Sequence, residues 1–325
     1  MIKPPHDPFL LSQNTFSSRE QKPCSSSESW GLKVSLRPYL RLLRVHQWVK
    51  NTFVLAPLIF SGKFLDPEAV KQALWAFFAF CLASSATYIL NDLRDIEKDR
   101  AHPVKRLKRP LAAGIIFPRT AKILLISIYA SLLGFLIFPS TRVFMLPVIA
   151  YLVLNLAYSF KLKNIPVLDI FCIAAGFMLR LFAGGEALNI EISSWMLVTT
   201  LSLALFLAST KRLQELRTQG DNARKVLKHY TVKLLESYAQ ISAAGALVFY
   251  GLYVISSRPG LVLSIPFVIF GLFRYWYLVE SEGAGESPTE VLLRDWPLVI
   301  TVTAWVVFCA WKTLKFSPTY LGGSP

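Results

Sequence analysis

Asp92, Asp95 and Asp99 stand at i, i+3 and i+7 in the stretch NDLRDIEKDRAHPVKRLKRP, Asn91 to Pro110. That stretch holds four acids, Asp92, Asp95, Glu97 and Asp99, and seven bases between Arg94 and Arg109. On a helix that runs on until His102-Pro103 stops it, the three aspartates share one face. Carboxylates so placed are oxygen ligands for Mg²⁺, a hard cation commonly held by one or two carboxylates plus substrate phosphates. Lys105, Arg106, Lys108 and Arg109 follow, and they would neutralise the same phosphates, arginine through paired hydrogen bonds. A solvated loop would carry the same mixture of charges, so the spacing alone does not decide.

A second cluster lies in YSFKLKNIPVLD, with Tyr158, Lys161, Lys163 and Asp169. Asp169 opens a segment apolar enough to cross lipid, where an ionisable group marks a functional site by default. Arg180, eleven residues on, falls within about 20° of the same helical face. Asp169, Gly176 and Arg180 would then line one inward stripe, the glycine leaving room. Arg180 paired with a carboxylate or with backbone carbonyls is an equally good reading. Lys50 and Asn51 sit at the mouth of an earlier apolar run, in RVHQWVKN, where a lysine also snorkels for ordinary reasons. Lys211, Arg212, Glu215, Arg224 and Lys225 make a third cluster, most of whose charge membrane anchoring explains.

The elements that must position these groups are apolar helices. The chain is 54% hydrophobic and only 17% charged, with a mean hydropathy of +0.45, unlike soluble domains of this size. Several charge-free runs approach the ~20 residues needed to span a bilayer. They are 72–91, 143–160, 192–210 and 237–257, with shorter ones at 123–138 and 296–311. Allowing one basic residue inside a run adds about 45–62, 166–187 and 262–279, which makes nine spans. The expected fold is an all-α integral membrane protein, its catalytic domain covering 34–315. Residues 1–33 and 316–325 read as tails, the first disordered because it is rich in Ser and Pro. Arg37, Arg41 and Arg44 recur opposite Leu36, Leu40 and Leu43, which describes an interfacial helix at about 36–45.

With the amino terminus in the cytoplasm, the cytoplasmic segments hold 27 Lys and Arg and the opposite side holds six. This is a strong positive-inside asymmetry. The net charge of +15 is therefore a membrane-topology signal, and no nucleic acid is implied. The polar clusters fall on the cytoplasmic side, as an enzyme with a cytoplasmic mouth requires. The four cysteines and four histidines are scattered without metal-ligand spacing. P-loop, dinucleotide and serine-nucleophile motifs are absent. The pattern suits transfer between a diphosphate and a long lipid.

The stretch NDLRDIEKDRAHPVKRLKRPLAAG resembles the first signature of the UbiA superfamily of intramembrane prenyltransferases, N-D-x-x-D-x-x-x-D, and YSFKLKNIPVLD resembles its second. HQWVKN, RLFAGG and STKRLQEL are similar to one branch, which transfers phosphoribosyl to polyprenyl phosphate. The resemblance covers about 36–315. It implies nine helices around a central cavity, with Mg²⁺ and phosphoribosyl pyrophosphate held by Asp92, Asp95 and Asp99. It implies a polyprenyl (decaprenyl-type) phosphate as acceptor, and a product that leads to lipid-linked arabinofuranose or a related pentose. Lys50, Asn51, Asn91, Lys105, Arg109, Tyr158, Lys161, Lys163, Arg180, Lys211 and Arg212 become candidate substrate-binding residues. Asp92, Asp95 and Asp169 become candidate catalytic residues, Asp169 binding either ribose hydroxyls or metal. A phosphate acceptor is already anionic near neutral pH, so no general base is required. The chain departs from the pattern at His46 and in its 33-residue tail.

Aromatic prenyltransferases of the superfamily carry two acids in the second motif, and this chain has Asp169 alone. Fewer acids and more bases suit a site that gathers several phosphate groups. Transfer of a prenyl group to an aromatic or tetrapyrrole acceptor is the alternative, and a lipid-phosphate transporter is a third reading. The expected location is the cell (inner) membrane, with the amino terminus and active-site mouth cytoplasmic.

Overall fold

The computed structural model of the chain describes residues 36–101, 103, 105–221, 224–281 and 288–315. The tails expected at 1–33 and 316–325 lie outside the described residues. Among the described residues every regular element is helical. In lipid only helices and closed barrels satisfy all backbone polar groups. The short helix α1 (Arg37–Leu43) leads into a 3-10 segment, Val45–Leu55, and α2 (Ala56–Ser61). Next come α3 (Pro67–Arg94), the small helices α4 (Ile96–Ala101) and α5 (Lys105–Lys108), α6 (Pro118–Ile137), α7 (Pro139–Arg142) and α8 (Met145–Phe160). The remainder is α9 (Leu168–Leu188), α10 (Ser194–Gln219), α11 (Val232–Ser257), α12 (Ile265–Ser281), α13 (Pro288–Arg294) and α14 (Trp296–Lys315).

Among the described residues seven helices are long and apolar enough to cross a membrane, and the chain is a multi-pass membrane protein. The other two expected spans are shorter. Met145–Phe160 has 16 residues, and the first is divided between the 3-10 segment and α2. The α1 helix occupies the stretch expected to lie at the interface, with Pro38 in its first turn and Leu36 and Leu40 exposed.

Of the long helices, α3 and α9 are the most buried and α6 and α14 the least. The buried face of α3 is a run of small residues, Ala76, Ala79, Ala83 and Ala86, all without solvent exposure. Small side chains let membrane helices approach closely, which supplies packing where the hydrophobic effect is weak. On α9 the same device is extreme. A Cβ on Gly184 would lie 2.0 Å from the carbonyl oxygen of Val54, so only glycine lets the 3-10 segment rest on α9. That contact brings Lys50 and Asn51 over the middle of α9.

Helix ends carry local signals as well. Asp66 caps α3 by accepting from the Glu68 N–H at 3.0 Å, and Thr231 caps α11 through the Leu234 N–H at 3.2 Å. The start of α9 is different: Val167, a β-branched residue, sits at φ +67°, a conformation such side chains rarely adopt.

Candidate active site

The α3 helix ends at Arg94 and does not run on to Pro103. Asp95 leaves helical geometry at ψ 15° before α4 resumes. Backbone bonds from Asp95 N–H to Asn91 and from Asp99 N–H to Asp95 preserve much of the spacing. Asp92 and Asp99 still converge, because both bind one guanidinium. Arg109 Nη1 lies 3.1 Å from Asp92 Oδ1 and bonds Asp99 Oδ2 directly. Arg44 Nη2 donates to the same Asp92 oxygen at 2.7 Å and stacks over Tyr88. Arg44 reaches this place from a left-handed backbone position, φ 52°, between α1 and the 3-10 segment. Asp92 is 2% exposed, so it is a desolvated carboxylate compensated by two arginines. Asp95 is half-buried and faces Lys163 electrostatically. Burial, then Arg94, hold the Lys163 ammonium below the usual lysine range, while Asp95 acts the other way.

The second cluster forms a closed network. Asp169 is fully buried and both its oxygens are occupied. Arg212 Nε donates to Oδ2 at 2.6 Å, and the Tyr230 hydroxyl donates to Oδ1 at 2.7 Å. Arg212 also donates to Glu215 at 2.6 Å and to the Tyr158 hydroxyl at 2.7 Å. Arg224 closes the group, its Nε 3.0 Å from Glu215. Burial first, then the bond to Asp169, push the Tyr230 phenol up. Arg212 and Asp169 thus spend these groups on the protein, not on an open surface.

The third centre is Arg180, which is 5% exposed. Its Nε donates to Asn51 Oδ1 at 2.8 Å, Nη1 to the Gly176 carbonyl at 2.7 Å and Nη2 to the Tyr151 hydroxyl at 3.2 Å. Phe80, Tyr151 and Phe177 surround its charge at 4.7–5.5 Å. Among the described residues no carboxylate pairs with it. Asn51 is itself oriented by donating to Cys81 and Ser84 on α3, each at 3.3 Å. Gly176 contributes its carbonyl; a Cβ there would meet Arg180 only at 3.5 Å, so room is not what this glycine supplies. The charge of Lys50 acts electrostatically on both Arg180 and Lys211. Lys211 has one acid near, Glu215 at 4.0 Å.

The sequence candidates therefore separate. Asp92, Asp99 and Arg109 come together, while Asp95 stands apart and acts on Lys163 only through its charge. Asn51 serves Arg180, and Tyr158 serves Arg212. Asn91 accepts from Ser159 on α8 at 2.9 Å and lines a cavity of about 130 Å³ between α3, α6 and α8 whose lining includes no carboxylate. Lys161 is exposed, and Lys105 stands on the exposed α5. Sequence reasoning missed Arg44 as a partner of Asp92, Tyr151 as a partner of Arg180 and Tyr230 as a partner of Asp169. A basic residue repeated on a short helix and two unremarkable tyrosines carry no signal of such pairings.

Among the described residues no three His, Cys, Asp or Glu side chains form a ready-made metal site. The donor set nevertheless fits Mg²⁺. Two hard carboxylates converge on one positive group, Arg109, and a metal held by two protein oxygens takes its remaining ligands from phosphates and water.

The sequence pattern of the UbiA prenyltransferase family matches residues 52–293. The chain is 35% identical over 295 residues to the decaprenyl-phosphate phosphoribosyltransferase of Corynebacterium glutamicum, covering 86% of this chain and 88% of that protein. It is 36% identical over 282 residues to the enzyme of the same name from Mycobacterium tuberculosis, covering 82% and 91%. Its fold is similar to a UbiA homolog from Archaeoglobus fulgidus bound to GPP and Mg²⁺, with a TM-score of 0.65 at 19% identity, over 86% of this chain and 99% of the other. Family pattern, relatives matched along nearly their whole length and the shared helical fold agree: the chain belongs to the UbiA prenyltransferase family.

Proposed function

We propose that this protein transfers 5-phosphoribosyl from phosphoribosyl pyrophosphate to a polyprenyl phosphate of the decaprenyl type, releasing pyrophosphate. The names of the relatives support this reading, and so does the balance of charge. The observation that carries it is Arg180, a buried guanidinium without a carboxylate partner among the described residues, with the charge of Lys50 nearby. A buried cation in a low-dielectric site is costly unless an anion joins it. Two substrates that both bring phosphate groups supply that anion; a neutral aromatic acceptor does not.

Asp92, Asp95 and Asp99 would hold Mg²⁺ together with the donor diphosphate. A metal held by these carboxylates would supply neutralisation of charge on the leaving pyrophosphate. Arg109 and Arg44, which bind Asp92 in this structure, stand at the proposed metal position and would bind the donor phosphates by paired hydrogen bonds. Lys161 and Lys163 approach from the α8–α9 connection. Lys50, Lys211 and Arg180 attract the acceptor phosphate and offset repulsion between the two substrates. The acceptor oxygen attacks C1 of the ribose as the C1–O bond to pyrophosphate breaks. No side chain needs to remove a proton, because the acceptor is already ionised.

We read the chain as crossing the cell (inner) membrane nine times, counting the split first segment and α8 as short crossings. The charge asymmetry supports a cytoplasmic amino terminus and a cytoplasmic mouth for the site. The decisive experiment measures pyrophosphate release from phosphoribosyl pyrophosphate, with Mg²⁺, with and without polyprenyl phosphate. Release that depends on the acceptor is expected. Label incorporated from a prenyl diphosphate, with none from phosphoribosyl pyrophosphate, would overturn the proposal in favour of prenyl transfer.

A further inference from the structure

Tyr230 belongs to the connection between α10 and α11, remote in sequence from both motifs, yet its hydroxyl joins two points of the second one. It accepts from the Val167 N–H at 2.6 Å and donates to Asp169 Oδ1 at 2.7 Å. Val167 is the residue at φ +67°. A β-branched side chain there is strained, and such strain persists only where surroundings over-determine it. The bond from Tyr230 holds the Val167 N–H directly. Asp169, two residues on, is held by Tyr230 and Arg212, and Arg212 also holds Tyr158. The connection between Phe160 and Leu168 is therefore clamped at both ends, through Tyr158 at one and Val167 at the other. The residues it presents are Lys161, exposed, and Lys163, half-buried.

We propose that Tyr230 is a positioning residue for the donor diphosphate: its hydroxyl sets the backbone of the α8–α9 connection and thereby where Lys161 and Lys163 present their ammonium groups. In this arrangement both oxygens of Asp169 serve the clamp. The inference rests on the proposed function only in requiring a donor that carries a diphosphate.

The hydroxyl is removed in Tyr230→Phe, which keeps the ring that packs beside Val226 and Leu227. A glycine at 167 adopts positive φ without strain, so Val167→Gly relaxes what the clamp must hold. The probe is inorganic pyrophosphate with Mg²⁺, its binding measured calorimetrically on the full chain in detergent, with the midpoint of thermal unfolding recorded in parallel. Tyr230→Phe is expected to weaken binding about tenfold, and the double variant with Val167→Gly to recover most of that loss. Unchanged pyrophosphate affinity in Tyr230→Phe would overturn the proposal. So would a loss that Val167→Gly does not relieve, since that marks a merely structural hydroxyl. Failure of the functional reading shows elsewhere, as wild-type protein that binds pyrophosphate but transfers nothing from phosphoribosyl pyrophosphate.

Discussion

Arg180 and Asn51, 129 positions apart, meet at 2.8 Å, the arginine donating to the amide oxygen. A neutral partner orients the guanidinium and leaves its charge intact. Asn51→Asp is nearly isosteric and supplies the missing acid. The new pair would neutralise the centre that attracts phosphate. We expect transfer to fall roughly 10- to 100-fold, mainly through a higher KM for the phosphorylated acceptor, because a contact charge is worth a few kcal/mol at intermediate dielectric. Thermal stability should be maintained. Acceptor titrations with both proteins check this, and wild-type kinetics in Asn51→Asp would remove Arg180 from the anion site.

The carboxylates of the first motif should separate when neutralised. Asp92 compensates Arg44 and Arg109 in a desolvated place, so Asp92→Ala leaves two arginines facing each other. Breaking such a buried pair costs about 3–5 kcal/mol, and both folding and transfer should suffer. Asp95 is half-buried, and Asp95→Asn should abolish transfer with an unfolding midpoint close to wild type. Parallel melting curves and rates distinguish the two, and an active Asp95→Asn would remove that residue from the metal set.

Arg109 occupies the position between Asp92 and Asp99. Without it the two carboxylates repel one another and gain affinity for any cation that replaces the guanidinium. Arg109→Ala is therefore expected to lower the Mg²⁺ concentration for half-maximal activity several-fold while reducing the maximal rate. A Mg²⁺ titration giving the wild-type midpoint would show that this arginine does not compete for the metal position.

Gly184 permits a close approach of the 3-10 segment to α9. Gly184→Ala would drive a methyl group against the Val54 carbonyl, displacing the 3-10 segment that carries Lys50 and Asn51. Overpacking of this kind costs about 1–3 kcal/mol, so a lower unfolding midpoint should accompany weakened acceptor binding. Normal stability and affinity together would mean that the segment can shift without consequence.

Much of this protein was legible before its structure. Local composition is enough for apolar helices, because a long uncharged run has few alternatives in lipid. The i, i+3, i+7 aspartates were legible only in part: Asp92 and Asp99 reach one guanidinium, while the helix breaks at Asp95 and leaves that residue apart. The divided first segment was harder, since a 3-10 stretch has the composition of any apolar run and differs only in its backbone.

Which charge faces which was not legible. The sequence alone determined that three aspartates, one later aspartate and a surplus of bases flank the apolar helices of a membrane domain. Only the tertiary structure decided that Asp92 belongs to Arg44 and Arg109, Asp169 to Arg212 and Tyr230, and Arg180 to no acid among the described residues. These pairings join residues 17 to 61 positions apart, across helices whose relative placement depends on close packing such as that at Gly184. Periodicity reports the face a residue occupies on its own helix. It carries no information about the neighbour that face will meet.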